Sequence, residues 1–283
     1  MTNDMLKTLC PVCVDENVVS TTLSSEYKIL KCMNCNYLYV SDEIDTRAMY
    51  SEYGDYLINT EREKFYRKAL MEYKYRRFVK EVDSRVAIDS WLDVGCGSAD
   101  FVSFLNGKIQ KVAGVEPSNK LRKVIAKKNI QNIYKDISEI EDNSFDCISE
   151  MDVIEHIHSN SLDNHIIELK RKLNSNGVIC GSTPNIKSVN FLLRGPTDPM
   201  FAPPFHLSYF SRESIEKQFT KHGFKMLFIY TRGINPFFNM QRSNKLQRLM
   251  YLSEKILYRM IPLQSEFIRG YGYHIYYGFQ KID

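Results

Sequence analysis

No apolar run in this chain approaches the roughly 20 residues that cross a bilayer. No early segment joins a basic start, an apolar stretch and a small-residue cleavage site. Both absences point to a soluble, cytosolic protein without a membrane span. There is no internal repeat and no low-complexity tract, which sets aside solenoids and repeat arrays. Nor is charge of one sign in excess: 38 Lys and Arg against 34 Asp and Glu leave a net charge of +4. That balance argues against a dedicated nucleic-acid binder, which concentrates basic residues on one face. What is present is ample apolar material, 43% of 283 residues, enough for one large domain or one domain with a small appendage. In the cytosol thiols stay reduced, so the seven cysteines are expected as metal ligands or packing residues rather than disulfides.

Three regions emerge. Residues 1–45 hold two tight pairs, 10-CPVC-13 and 32-CMNC-35, with eighteen residues between Cys13 and Cys32. Each C-x-x-C can set two thiolates on one side of a tight turn. Two such turns joined by a hairpin make a Cys₄ site for Zn²⁺ from Cys10, Cys13, Cys32 and Cys35. Two disulfides or four buried thiols are the alternatives. Residues 46–86 are rich in Tyr, Lys, Arg and Glu, with Phe65, Ala69, Tyr73 and Arg77 at helical spacing. They read as an amphipathic helical connector whose Lys and Arg stems lie along apolar surface; a basic face toward an anionic partner is the other reading. From residue 87 to 283, strand-like and helix-like segments alternate, with inserted helices over 236–268. The pattern predicts an α/β fold: a doubly wound, mostly parallel, Rossmann-like sheet of seven strands with helices on both faces. Strands are expected at 87–94, 111–116, 132–137, 145–152, 177–184, 226–233 and 272–281, the last antiparallel or at an edge. Helices are expected at 98–107, 118–129, 161–174 (ended by Asn176-Gly177) and 211–224.

In such a sheet a ligand sits beyond the carboxyl ends of the strands. The stretch 91-WLDVGCGSADF-101 places a glycine turn there. Glycines bend the backbone sharply and let a ligand approach with no Cβ in the way. A dinucleotide site would carry a third glycine, where this chain has Asp100, and a carboxylate there repels phosphate. The acid in front, Asp93, suits a cationic ligand instead. Glu116 follows at the end of the next strand, placed to accept hydrogen bonds from ribose hydroxyls. Taken singly, Glu116 reads equally as a solvated strand end, Asp136 as a helix cap, and Gly95 and Gly97 as a plain tight turn.

Asp93-x-Gly95-x-Gly97 resembles motif I of the class I S-adenosylmethionine-dependent methyltransferases, with Ala99 where many members have a third glycine. The resemblance covers residues 87 to about 235. It implies that Asp93, Gly95, Cys96 and Gly97 cradle the methionine half of the cofactor. Glu116, in the family-like context with Pro117, would hold the ribose. Asp136 would accept from the adenine amine, and Ile137 would lie on the ring. Residues 145–157, Met151 among them, resemble the fourth strand and the loop over the reactive methyl, and 206-HLSYFS-211 recurs in the same group. A ribbon followed by a Tyr-rich connector and this domain is similar to bacterial enzymes acting on sugars, nucleotide-sugars and other small metabolites in surface-polysaccharide or secondary-metabolite pathways. In that group the ribbon and connector help to form the acceptor pocket.

Methyl transfer is an in-line displacement, so alignment does most of the work. A hydroxyl acceptor also loses a proton near the transition state, for which histidine is suited at neutral pH. His156, just past the fourth strand, is the first candidate base, His206 the second and His158 a third; each reads alternatively as a structural histidine, and a base is not obligatory. The loop 184–205 is a candidate acceptor lid, with Arg194 set to pair with an acceptor phosphate. Cys96, Cys147 and Cys180 are isolated and read as core fillers. The expected activity is O-methylation of a small acceptor. Methylation of RNA or protein through the ribbon, and a non-catalytic scaffold, are the alternatives. The sequence does not choose an oligomeric state.

Overall fold

The computed structural model describes residues 8–44, 72, 74–232 and 270–282. Residues 46–71 and 73 of the connector expected at 46–86, and the inserted helices at 236–268, lie outside the described residues.

Seven strands form one sheet: β4 (Ser90–Val94), β5 (Lys111–Val115), β6 (Ile133–Tyr134), β7 (Phe145–Met151), β8 (Leu173–Pro184), β10 (Phe224–Arg232) and β11 (His274–Lys281). Their order is β10-β11-β8-β7-β4-β5-β6. The five strands from β6 to β8 run parallel, and β11 lies antiparallel between β8 and β10. The closing strand is therefore antiparallel and interior, and β10 takes the edge.

The central strands are buried along their length, as parallel strands covered on both faces must be. Alternate residues feed two cores. Leu92, Val94, Ile148 and Ile179 meet Ile166 and Leu169 of α4 (Leu162–Lys172) and Ile215 and Phe219 of α6 (Arg212–Lys221). Trp91, Cys147, Val178 and Cys180 meet Phe78 and Val82 of α1 (74–83), Val102 and Leu105 of α2 (Asp100–Leu105), and Ile125 of α3 (Asn119–Ala126). Cys147 and Cys180 touch side by side, Sγ to Sγ 3.5 Å, as buried packing thiols. On α1, the Arg76 guanidinium lies over Phe104 at 5.8 Å and the Lys74 ammonium over Tyr276 at 5.5 Å, which is the packing reading of those basic stems.

Helix α4 ends at Lys172, two residues before its expected limit, because Leu173 is wholly buried and already pairs with Phe145 in the sheet. Asn176, at φ +60°, bends strand rather than closing helix. Ser211 caps α6, accepting from Ser214, and Gly223 at φ +74° follows its end. The 184–205 loop contains a short helix, α5 (Val189–Arg194).

The cysteine-rich region is not a detached bead. Its strands β1 (Val18–Ser20), β2 (Ile29–Cys32) and β3 (Leu38–Val40) form a second, antiparallel sheet that β9 (Ser208–Tyr209) of the larger domain completes. Leu38 pairs with Tyr209 and Tyr39 with Ser208. The buried Tyr37 hydroxyl bonds Ser208 Oγ at 2.6 Å, and Ser211 Oγ donates to the Cys35 carbonyl at 2.9 Å.

Candidate active site

At the end of β4, Asp93 is 3% exposed and accepts from Ser149 Oγ at 2.6 Å; Ser149 in turn accepts from the Trp91 indole at 2.9 Å. Burial lifts the Asp93 carboxyl to about 7, the Ser149 hydroxyl working against that and Glu116 adding to it. A carboxyl this deep with one hydroxyl donor carries a charge only at a desolvation cost. Gly95 and Gly97 both sit at positive φ, +68° and +57°, and Ala99 enters α2 at +58°. Gly95 is packed: a Cβ there would meet Val153 at 2.6 Å. Gly97 is open: a Cβ would meet nothing within 4 Å, which leaves the cradle accessible to a ligand. Cys96 between them is buried, its thiol pushed up by burial, and its amide ties the turn to Val115 of β5.

Glu116, 5% exposed, accepts from the Gly97 amide at 2.8 Å and the Ser118 amide at 2.7 Å. Burial raises its carboxyl against those two bonds. The carboxylate thus fixes the glycine turn to the β5–α3 turn while remaining at the cleft. Pro117 beside it is exposed. Asp136 caps the 3₁₀ turn Ile137–Glu139, accepting from the Ser138 amide and hydroxyl at 2.9 and 2.7 Å in a capping box with Glu139. Ile137 next to it is half-buried.

The loop after β7 closes over the turn through the Val153 contact. Met151 is half-buried at its start. Asp152 sits at φ +57°, accepts from Ser182 Oγ at 2.8 Å, and lies 3.6 Å from His274 Nε2. Burial would raise its carboxyl, but Lys74 and His274 outweigh that and hold it low. Glu155 is 1% exposed; Oε2 accepts from Thr183 at 3.0 Å, and burial beside Asp152 drives its carboxyl well up. His156 and His206 meet edge to face, ring centroids 4.9 Å apart. Nδ1 of His156 donates to the Phe205 carbonyl at 2.7 Å and Nδ1 of His206 to the Met200 carbonyl at 2.8 Å. Burial lowers both imidazoles, His206 to about 4, so both are neutral at pH 7. The third histidine, His158, bonds the Asp42 carbonyl at 2.9 Å, tying the ribbon to this loop. Ser149, Asp152 and Glu155 lie inside the 145–157 stretch, but the sequence gives them no role of their own, because each gains it from a partner distant in the chain.

The four thiols of Cys10, Cys13, Cys32 and Cys35 lie within 4.8 Å of one another. The Cys10–Cys35 and Cys13–Cys32 sulfurs are 3.7 and 3.5 Å apart. That is far beyond a disulfide, ~2.05 Å, and matches the ~3.8 Å between sulfurs on a tetrahedral ion at ~2.3 Å.

A seven-stranded sheet with one antiparallel strand slotted beside its edge, and an acid and glycine turn at its first parallel strand, defines a class I S-adenosylmethionine-dependent methyltransferase. The family profile described as "Methyltransferase domain" matches residues 60–228, and the chain belongs to that family. A crystal structure of an S-adenosylmethionine-dependent methyltransferase from Archaeoglobus fulgidus is similar at a TM-score of 0.51 with 18% identity, over 76% of this chain and 94% of that one. One from Thermotoga maritima gives 0.50 and 16%, over 78% and 96%. The phosphoethanolamine N-methyltransferase 2 of Haemonchus contortus, in complex with S-adenosyl-L-methionine, gives 0.51 and 16%, over 87% and 62%. No curated protein matches the chain. Among the described residues, no helix is long and apolar enough to cross a membrane.

Proposed function

We propose that this methyltransferase transfers its methyl group to an oxygen of a small acceptor, a sugar, a nucleotide-sugar or a related metabolite of surface-polysaccharide or secondary-metabolite synthesis, in the cytoplasm. What supports the reading is a pair of neutral imidazoles in contact with each other, His156 on the loop whose Val153 packs against Gly95 and His206 beside it. When bound, the cofactor supplies an electrophilic methyl on a sulfonium. The chain's residues do the rest. Asp93 faces the cationic methionine half across the open side of Gly97, and Cys96 fixes the turn between them. Glu116, held by two backbone amides, keeps lone pairs for the ribose hydroxyls beside Pro117. Ile137 lies on the adenine, and the Asp136 cap fixes the turn that presents it. Met151 flanks the donor. His156, and after it His206, accepts the acceptor proton through Nε2, since each Nδ1 carries its hydrogen toward a carbonyl.

The four cysteines bind a structural Zn²⁺, for which their sulfur spacing supports the reading. The ribbon's role is internal: by pairing β3 with β9 it sets the segment carrying His206, which favours a small acceptor over a ribbon that docks RNA or protein. Calorimetry with S-adenosylhomocysteine, followed by transfer of labelled methyl to a panel of nucleotide-sugars, free sugars, RNA and bulk protein, tests it. Label entering only RNA or protein would reject the small-acceptor reading, and lack of any cofactor-product binding would reject the site.

A further inference from the structure

Glu155 presents a problem that the methyl-transfer reading does not resolve. Its side chain is 1% exposed, Oε2 is bonded to Thr183, and Oε1 is buried with no hydrogen-bond partner. A buried carboxylate oxygen without a donor is strongly unfavourable. One ring nitrogen each from His156 and His206 and one Glu155 carboxylate oxygen lie within 4.8 Å of one another. Because a carbonyl only accepts, each histidine carries its hydrogen on Nδ1 and its lone pair on Nε2. A backbone carbonyl that holds the other ring nitrogen's hydrogen in this way is the usual setting of a metal-ligating histidine. The Asp152 backbone carbonyl is a second acceptor for the His156 ring.

We infer that Glu155, His156 and His206 bind one divalent first-row transition-metal ion at the edge of the donor cleft, separate from the four-thiolate site. Two imidazole nitrogens and one carboxylate suit zinc, iron, cobalt, nickel or manganese, whereas magnesium and calcium prefer oxygen alone. Donors about 2.1 Å from a tetrahedral ion stand about 3.4 Å apart, within reach of small side-chain rotations from the present spacing. The three ligands come from two segments already tied together: the Leu207 amide donates to the Glu155 carbonyl at 2.8 Å, and the Val40 amide of the ribbon to the Leu207 carbonyl at 2.9 Å. The surrounding charges are Asp152, which adds to the attraction for a cation, and Lys74, which faces Asp152 and offsets it; His274 beside them is kept neutral by burial. Three protein ligands leave coordination positions open. With the ion bound, its open position would take the oxygen of a polyhydroxylated acceptor and let that hydroxyl lose its proton to solvent, the two histidines then holding the ion instead of taking the proton through Nε2; this role rests on the function proposed above, and the binding of the ion does not.

Full-length protein with its thiolate site loaded with zinc is titrated with Co²⁺ by calorimetry, with visible absorption recorded in parallel. One equivalent is expected, with weak d–d bands and no thiolate charge-transfer band. Glu155→Gln and His206→Gln should each raise the Kd at least tenfold, in protein whose melting and S-adenosylhomocysteine binding show that it is folded. An absence of saturable binding, a spectrum carrying the thiolate band alone, or a Kd unchanged in both variants would each overturn the proposal. Since the wild-type spectrum reads the ligand type directly, the test stands even if a variant does not fold. Failure of the methyltransferase reading would appear separately, as loss of S-adenosylhomocysteine binding with the Co²⁺ curve intact.

Discussion

At position 93 a carboxylate occupies a place where its neighbours in the strand are apolar, and the consequence is a pH dependence with a definite sign. Burial moves the Asp93 carboxyl from the usual 3.8 to about 7. A carboxyl whose folded value lies above its unfolded value takes up a proton on folding between the two, so the ligand-free protein loses stability as pH rises from about 4 to about 7. The methionine half of the cofactor brings an ammonium, which favours the ionised form and expels that proton. S-adenosylhomocysteine affinity should therefore rise with pH through this window, while the apo melting temperature falls relative to Asp93→Asn. A melting curve for Asp93→Asn with the same slope as wild type would remove Asp93 as the origin. The variant also loses one charged hydrogen-bond partner, a loss of about 1.5–3 kcal/mol, so calorimetry should show binding weakened by roughly 10- to 100-fold. Glu116→Gln should have a double effect, since its oxygens hold the Gly97 and Ser118 amides and, on the proposed reading, would also accept from the ribose. A change of similar size is expected, accompanied by a lower apo melting temperature that Asp93→Asn at neutral pH does not share.

Within the turn between β4 and α2 the two glycines separate structure from binding. Gly95→Ala forces a Cβ against Val153 at a positive φ, so it should lower the melting temperature sharply. Gly97→Ala meets no atom and costs only the left-handed backbone penalty, about 1–2 kcal/mol, yet it fills the cradle. Calorimetry on Gly97→Ala should then show the larger affinity loss and thermal melts the smaller stability loss; the reverse ranking would mean that the open side of Gly97 is not the ligand's. The ribbon carries its own prediction. Cys13→Ser should take the zinc content from about one ion per chain toward zero, lower the melting temperature and slow methyl transfer, because β9 loses the sheet that positions His206. The acid-and-glycine turn, the Glu116 that follows it and the cysteine pairs were legible in the sequence because each is a local pattern at the end of an apolar run or across a tight turn. The pairing of β3 with β9 was not: it rests on two residues, Ser208 and Tyr209, too few to show a period, joined to a strand about 170 positions away. The end of α4 was misjudged because the Asn176-Gly177 signal is local, whereas the burial of Leu173 against Phe145 is a tertiary effect that overrode it. Asp136 was readable both as a cap and as a ligand residue, and its geometry shows the cap in use.

Across the whole molecule, the C-terminal strand is bound to the sheet by a contact that reaches over an intervening strand. The Tyr277 hydroxyl of β11 donates to Glu150 Oε1 of β7 at 2.5 Å, and His165 of α4 approaches Glu150 Oε2 at 2.8 Å. Between β7 and β11 lies Gly181 of β8, and a Cβ there would collide with both the Glu150 carbonyl and the Tyr277 ring and hydroxyl. Glycine at 181 is thus a requirement of close approach rather than of backbone torsion, and it lets one buried carboxylate of β7 reach across β8 to join β11 and α4. Glu150 is fully buried, so the loss of a donor is felt as desolvation without compensation. Tyr277→Phe removes one hydroxyl from an otherwise unchanged core and should cost about 1–3 kcal/mol, read as roughly 2–4 °C of melting temperature per kcal/mol in a chain of this size. Gly181→Ala should cost more, since backbone must move. In a double-mutant cycle with Glu150→Gln, the Tyr277→Phe loss should shrink, because a neutral amide in place of the carboxylate leaves less charge to desolvate. Tyr277→Phe melting at the wild-type temperature would show that the sheet does not depend on this contact, and that β11 is retained by its backbone ladders to β8 and β10 alone.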